Sequence, residues 1–181
     1  MDTATNEPTI AFPTPEGITK YHTTPYASID VTRPELSAAG KVVLITGGGS
    51  GLGFAFAQHF AMAGCTSIVI TGRRQDVIDD AKRALEKEYS ALRVLAMQGD
   101  VTDKQAVVKA FETTTETFGA IDVLINNAGY LPSYTALASS DPDDWWKAFE
   151  TNVRGSFNVL SSFLFSAASD AVVISKCTTR T

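Results

Sequence analysis

From Lys41 onward the apolar positions alternate between short unbroken runs and longer stretches in which they recur at helical spacing. The first run, Val42-Val43-Leu44-Ile45-Thr46, is mostly β-branched and uninterrupted, which predicts a strand buried on both faces. A helix is expected from about Gly51 to Ala63, with Gly64 ending it. SIVIT at 67–71 reads as a second strand, followed by a helix from about Gln75 to Tyr89 with mixed charges on its outer face. RVLAMQ, closing at Gly99, reads as a third strand, IDVLIN at 121–126 as a fourth and AVVIS at 171–175 as a fifth. Thr102-Asp103-Lys104-Gln105 has the form of a capping box, in which Thr102 accepts from an orphan amide and Gln105 reaches back; that helix is expected to end near Phe118 and Gly119. Asp141-Pro142-Asp143-Asp144 begins a further helix, with a capping acid, a proline at the first position and acids near the positive end of the dipole.

Five strands alternating with helices predict a doubly wound parallel α/β sheet, because right-handed crossovers then cover both strand faces. No repeat at a solenoid period is visible. Before Lys41 the pattern differs. Pro8, Pro13, Pro15, Pro25 and Pro34 interrupt a stretch without sustained periodicity, so residues 1–40 are expected to be an irregular arm. Ile18, Tyr21, Tyr26, Ile29 and Leu36 give its second half something to pack with. The expected organisation is this arm, a nucleotide-binding domain over 41–175 and a tail over 176–181.

Composition changes this picture only by exclusion. A length of 181 residues suits one domain with a sizeable core. With 44% apolar and 19% charged residues, a net charge of -5 and acids and bases interspersed, a nucleic-acid surface is not expected. Cys65 and Cys177 are the only cysteines, which suits a reducing compartment without a disulfide framework. The opening MDTATNEPTIAF has acids and no base, unlike a signal or transit peptide, and no apolar run approaches a membrane span. A cytoplasmic location is therefore expected. His22 and His59 are too far apart to suggest a metal site, and His59, among Phe56, Phe60 and Ala63, reads as a half-buried packing residue. A nucleophile elbow of the hydrolase type is missing.

The chemistry is concentrated where strands end. Thr46-Gly47-Gly48-Gly49-Ser50-Gly51-Leu52-Gly53 joins a strand to a helix, where free amides, a partial positive charge and residues without a β-carbon would seat a dinucleotide pyrophosphate. The other reading is a merely flexible turn. At the end of the second strand, where an NAD site carries an acid for the ribose hydroxyls, the chain has Thr71-Gly72-Arg73-Arg74. A guanidinium pairs with a 2′-phosphate that an acid would repel, which favours NADP(H), with Arg73 in contact and Arg74 in support. Two solvated arginines at a helix start are the alternative. Asp100, followed by Val101, could accept from an adenine amine or simply form a turn. The amides of Asn126-Asn127-Ala128-Gly129 can hold strand ends and a ribose, while Ala128 and Gly129 leave room beside the backbone.

Together these segments resemble the short-chain dehydrogenase/reductase family over about residues 19–174, with the Thr-Gly-x-x-x-Gly-x-Gly loop as the distinguishing motif. The resemblance implies a Rossmann fold of strand order 3-2-1-4-5 and cofactor contacts at Gly47, Ser50, Gly51, Leu52, Gly53, Arg73, Asp100, Val101, Asn127, Ala128 and Gly129. Asn152 matches the helix asparagine with which family members hold a water linking the catalytic lysine to solvent. Tyr21-His22-Thr23-Thr24-Pro25-Tyr26, Arg33-Pro34-Glu35-Leu36-Ser37 and Asp144-Trp145-Trp146 look like a filamentous-fungal group of the family; by themselves the tryptophans read as helix and core packing.

Such enzymes reduce a carbonyl or oxidise an alcohol by hydride transfer, using a tyrosine as proton donor and a lysine four residues later to lower its pKa. Here Ser175-Lys176-Cys177-Thr178 follows the fifth strand, and no tyrosine occurs after Tyr134. The family serine has no clear counterpart: Ser175 is one residue early, and other registers place Lys176 or Thr178 there. The expectation is a truncated family member, inactive alone, with 176–181 a non-family tail, further strands missing and the fifth strand left as an apolar edge for a homo- or hetero-oligomeric partner. A non-catalytic nucleotide-binding or interaction protein is the alternative.

Overall fold

A computed structural model describes residues 26–176. The start of the arm, with Ile18, Tyr21 and His22, and the last positions, with Cys177 and Thr178, lie outside the described residues. Tyr26–Asp30 belongs to a unit ending at Asp30, in which Ala27–Ile29 forms a single 3-10 turn and Tyr26 and Ile29 are exposed. Val31 onward forms the second unit and contains all the elements below.

Its sheet has five parallel strands, β1 (Val42–Thr46), β2 (Ser67–Gly72), β3 (Arg93–Gln98), β4 (Ile121–Asn126) and β5 (Ala167–Ser175), in the order β3-β2-β1-β4-β5. This is the doubly wound Rossmann arrangement. β1 lies at the centre, with Val43 opposite Ile68 on one side and Val123 on the other. All five of its residues are buried because helices cover both faces.

One layer holds α1 (Gly51–Met62) and α2 (Gln75–Glu88), whose Ala57, Ala61, Ile78 and Leu85 pack with Val43, Ile45, Ile68 and Ile70. The opposite layer holds α3 (Lys104–Phe118) and α5 (Ser156–Ser166), whose Val107, Phe111, Val159 and Phe163 pack with Leu44, Val69 and Leu124. α4 (Pro142–Phe149) continues into α5 through a π-helical segment, Glu150–Gly155. Asp141 caps α4 by accepting from the Asp143 amide.

Several local expectations need correction. Asp103, not Thr102, caps α3, accepting from the Gln105 and Ala106 amides; the Thr102 hydroxyl is turned onto Asp100 instead. Gln105 is then the second helical residue, too early to reach back as a capping box requires. β5 begins at Ala167, four residues before the apolar run, and its register against β4 shifts between Ile121 and Val123. Ala167, which carries no strand pattern of its own, is recruited by pairing with Ile121 of β4. Trp145 and Trp146 are not core residues; both are about half exposed and cluster with Phe149, whose ring lies 4.5 Å from that of Trp145. His59 is exposed rather than packed, with Nδ1 2.7 Å from the Ala55 carbonyl. Among the described residues β5 is an edge strand, and Val172, Val173 and Ile174 are exposed. No helix of the described residues is long and apolar enough to cross a membrane, and none of their His, Cys, Asp and Glu side chains form a metal-binding group.

Candidate dinucleotide site

The site forms at the C-terminal edge of the sheet, where the order reverses on either side of β1, the usual place for a ligand in such folds. Thr46, at the end of β1, is buried, and its hydroxyl accepts from the backbone amides of Asn127 and Ala128, each at 3.0 Å. Asn127 returns the contact: its side-chain amide donates to the carbonyls of Thr46 at 2.9 Å and Gly47 at 3.3 Å. The glycine loop is thereby tied to the end of β4. Gly47 has φ +67°, in the left-handed region that favours glycine. Gly53, in the first turn of α1, lies so close to the loop that a Cβ there would stand 2.2 Å from the Gly47 carbonyl oxygen. Ser50 precedes α1 in extended conformation and makes no side-chain cap, leaving the first-turn amides available to another acceptor.

A groove of about 490 Å³ runs from this loop past the ends of β2, β3 and β4. Of the residues singled out from the sequence, it is lined by Gly47, Ser50, Leu52, Arg73, Asp100, Val101, Asn127, Ala128 and Gly129. Gly51, Gly53 and Asn152 do not line it. Gly53 sits behind the loop and shapes it from below; Gly51, at φ +55° with nothing near its absent Cβ, serves the turn. Arg73 and Arg74 are both exposed on one wall. The Arg73 carbonyl is held by the Gln98 side chain at 3.0 Å, fixing the backbone while leaving the guanidinium to the groove.

Asp100 uses Oδ1 to accept from both the amide and the hydroxyl of Thr102, each at 2.9 Å, so it forms the turn after β3 while also lining the groove. That turn is anchored from α5 by Asn158, whose side-chain amide donates to the carbonyls of Val101 and Thr102. Val101 packs against Gly155, where a Cβ would come within 2.6 Å of it. At the far end, Asn126 donates to Ser175 Oγ at 3.2 Å, and its carbonyl accepts from the Lys176 amide at 3.0 Å. Lys176 lines the groove.

Asn152 lies in the π-helical segment, beside the groove-lining Thr151. Its Oδ1 accepts from the Tyr130 amide at 2.9 Å and its Nδ2 donates to the Tyr130 carbonyl at 2.8 Å. Tyr130 also donates its hydroxyl to Asp144 Oδ1, and Asp144 Oδ2 accepts from the Ser133 amide at 2.9 Å. The Asp144 hydrogen bond pushes the Tyr130 phenol above its ordinary pKa, while the phenol and the Ser133 amide hold Asp144 below the usual carboxylate range.

Thr46 opens the glycine motif, but its tie to Asn127 and Ala128 is not part of that motif, and Asn158 lies outside every motif. The visible signal of Asn158 is an amide within the apolar stretch SFNVLSSFLF.

Residues 41–175 match the family model described as short chain dehydrogenase. The chain is 39% identical over 147 residues to the short chain dehydrogenase pigC of Monascus ruber, which covers 79% of this chain and 48% of that protein. It superposes on levodione reductase with a TM-score of 0.70 at 31% identity, covering 76% of this chain and 54% of the other. A short chain dehydrogenase from Burkholderia cenocepacia, solved in complex with NADP, gives a TM-score of 0.68 at 28% identity, over 76% of this chain and 55% of the other. The chain thus spans about half the length of these relatives.

Proposed function

This chain belongs to the short-chain dehydrogenase/reductase family of oxidoreductases, and from that premise we propose that its groove binds NADP(H), the cofactor of carbonyl reduction and alcohol oxidation by hydride transfer. The observation that carries the choice of NADP(H) is the pair Arg73 and Arg74 on a groove wall, at the strand end where an NAD site carries an acid. The residues present fit the group. The first-turn amides of α1 would receive the pyrophosphate, on a loop whose path requires glycine at Gly47, with φ +67°, and at Gly53, where a Cβ would stand 2.2 Å from the Gly47 carbonyl oxygen. The Arg73 guanidinium would pair with the 2′-phosphate, with Arg74 adding charge. Gly129, on the β4 side, would leave room for the cofactor beside the backbone. When bound, NADPH supplies the hydride.

Proton transfer is a separate requirement. The 181 residues contain no Tyr-x-x-x-Lys, and no tyrosine follows Tyr134. We propose that these 181 residues by themselves bind the cofactor without turnover. Calorimetric titration with NADPH and NADH tests the cofactor assignment. Loss of charge-assisted hydrogen bonds of about 1.5–3 kcal/mol in Arg73→Ala should weaken NADPH binding by roughly 10- to 100-fold while leaving NADH little changed. An unchanged preference would refute the phosphate contact. NADPH oxidation with a panel of carbonyls by the pure chain, if measurable, would refute the reading of inactivity.

A further inference from the structure

The loop that leaves β4 is tied to the helical segment in two separate ways. Asn152 takes both backbone polar groups of Tyr130. Asp144 takes what lies beyond them: one carboxylate oxygen accepts from the Tyr130 hydroxyl and the other from the Ser133 amide. Leu131, between these attachment points, lines the groove, as do Thr151 and the two arginines. Tyr130 also feels the positive charge of Arg73, which draws its phenol pKa downward against the larger effect of Asp144.

Asp144 is well placed to remain a carboxylate. It lies in the first turn of α4, where the helix dipole favours an anion, and it receives two donors. A single side chain with two acceptors thus closes residues 130–133 into a fixed strap. A loop of this length without such ties would sample many conformations, and a ligand would have to order it on binding.

We propose that Asp144 is a positioning residue for the cofactor groove, which through the Tyr130 hydroxyl and the Ser133 amide holds residues 130–133 as a preformed wall carrying Leu131. This inference rests on the NADP(H) reading above. Asp144 touches no cofactor; it acts through Tyr130 and Leu131. If opening the latch reduces the binding-competent fraction to between a third and a tenth, the apparent Kd rises by about 3- to 10-fold, because apparent affinity scales with that fraction.

The test uses the 181-residue chain, with Tyr130→Phe, Asp144→Ala, the double variant and Asp144→Glu. NADPH affinity is measured by calorimetry and protection of the Ser133 amide by hydrogen exchange. Each single substitution should raise the Kd by about 3- to 10-fold, Asp144→Ala should also speed Ser133 exchange, and the double should add little beyond Asp144→Ala, since the phenol bond lost in Tyr130→Phe is one of the two that Asp144 accepts. Asp144→Glu, which keeps a carboxylate within reach of the phenol, should recover most of the affinity, a rescue that a general loss of stability would not give. Tyr130→Phe retains the ring and keeps the test available if Asp144→Ala fails to fold. Wild-type affinity in both single variants, or losses that multiply in the double, would overturn the proposal. Failure of the wild-type chain itself to bind NADPH would overturn the cofactor reading and this inference with it, an outcome distinct from variants that bind as well as wild type.

Discussion

Replacing Thr46 by valine should show how much of the site depends on one buried hydroxyl. Valine keeps the β-branched shape that suits the centre of the sheet, so strand preference and packing volume change little. The oxygen is lost. It accepts from the amides of Asn127 and Ala128, both at 3.0 Å, and Thr46 is only 2% exposed. Each buried donor left unsatisfied costs about 1–3 kcal/mol, and Ala128, being only half-buried, can recover part of this from water. A net loss of about 3 kcal/mol follows, which in a domain of this size lowers the unfolding midpoint by about 6–12 °C. Thermal denaturation followed by circular dichroism, with Thr46→Ser as the control that restores the acceptor, measures it. A Thr46→Val midpoint within about 2 °C of wild type would refute the reasoning, because two orphaned amides cannot be free of cost.

Gly53→Ala places a Cβ 2.2 Å from the Gly47 carbonyl oxygen, a backbone atom that cannot rotate away. We expect about 1–3 kcal/mol of destabilisation from overpacking together with loss of NADPH binding, read from the same melts and titrations; unaltered binding would mean that the loop does not need this close approach. Burial alone would raise the Asp122 carboxyl, but the Val42 amide and the Lys41 ammonium outweigh it and hold it below the usual carboxylate range. A depressed folded value means that its stabilisation is present above the unfolded value and is lost as pH falls through the folded one. Asp122→Asn should therefore flatten the acid limb of stability against pH, and an identical limb in wild type and variant would contradict this.

The elements that the sequence discloses most clearly are those whose pattern is dictated by burial on both faces. Val42–Thr46 and Ile121–Asn126 read as strands because a central parallel strand has no polar side to present. The glycine loop is equally legible, since a positive φ and an approach of 2.2 Å exclude a side chain whatever the rest of the fold does. Arg73 and Asp100 can be picked out because they follow strands whose ends must share one edge of a parallel sheet.

Other features were decided between elements distant in sequence. The first four residues of β5 are small or polar; of them Ala167 pairs with Ile121 of β4, and the register shifts before Val172 resumes the ladder opposite Val123. Asp103 caps α3 because Asp100 has already drawn in the Thr102 hydroxyl, a competition that residue types alone do not resolve. Trp145 and Trp146 have the composition of core residues, yet α4 turns them outward, so size and apolarity state a preference for burial without saying which face finds a partner. The same holds at the site. The glycine loop can be read as a pyrophosphate seat from its own residues, whereas the ties that hold it, Thr46 to Asn127 and Asp144 to Tyr130, cross the chain or bridge a loop. Their donors and acceptors meet only after the sheet and its helices have set the distances between them.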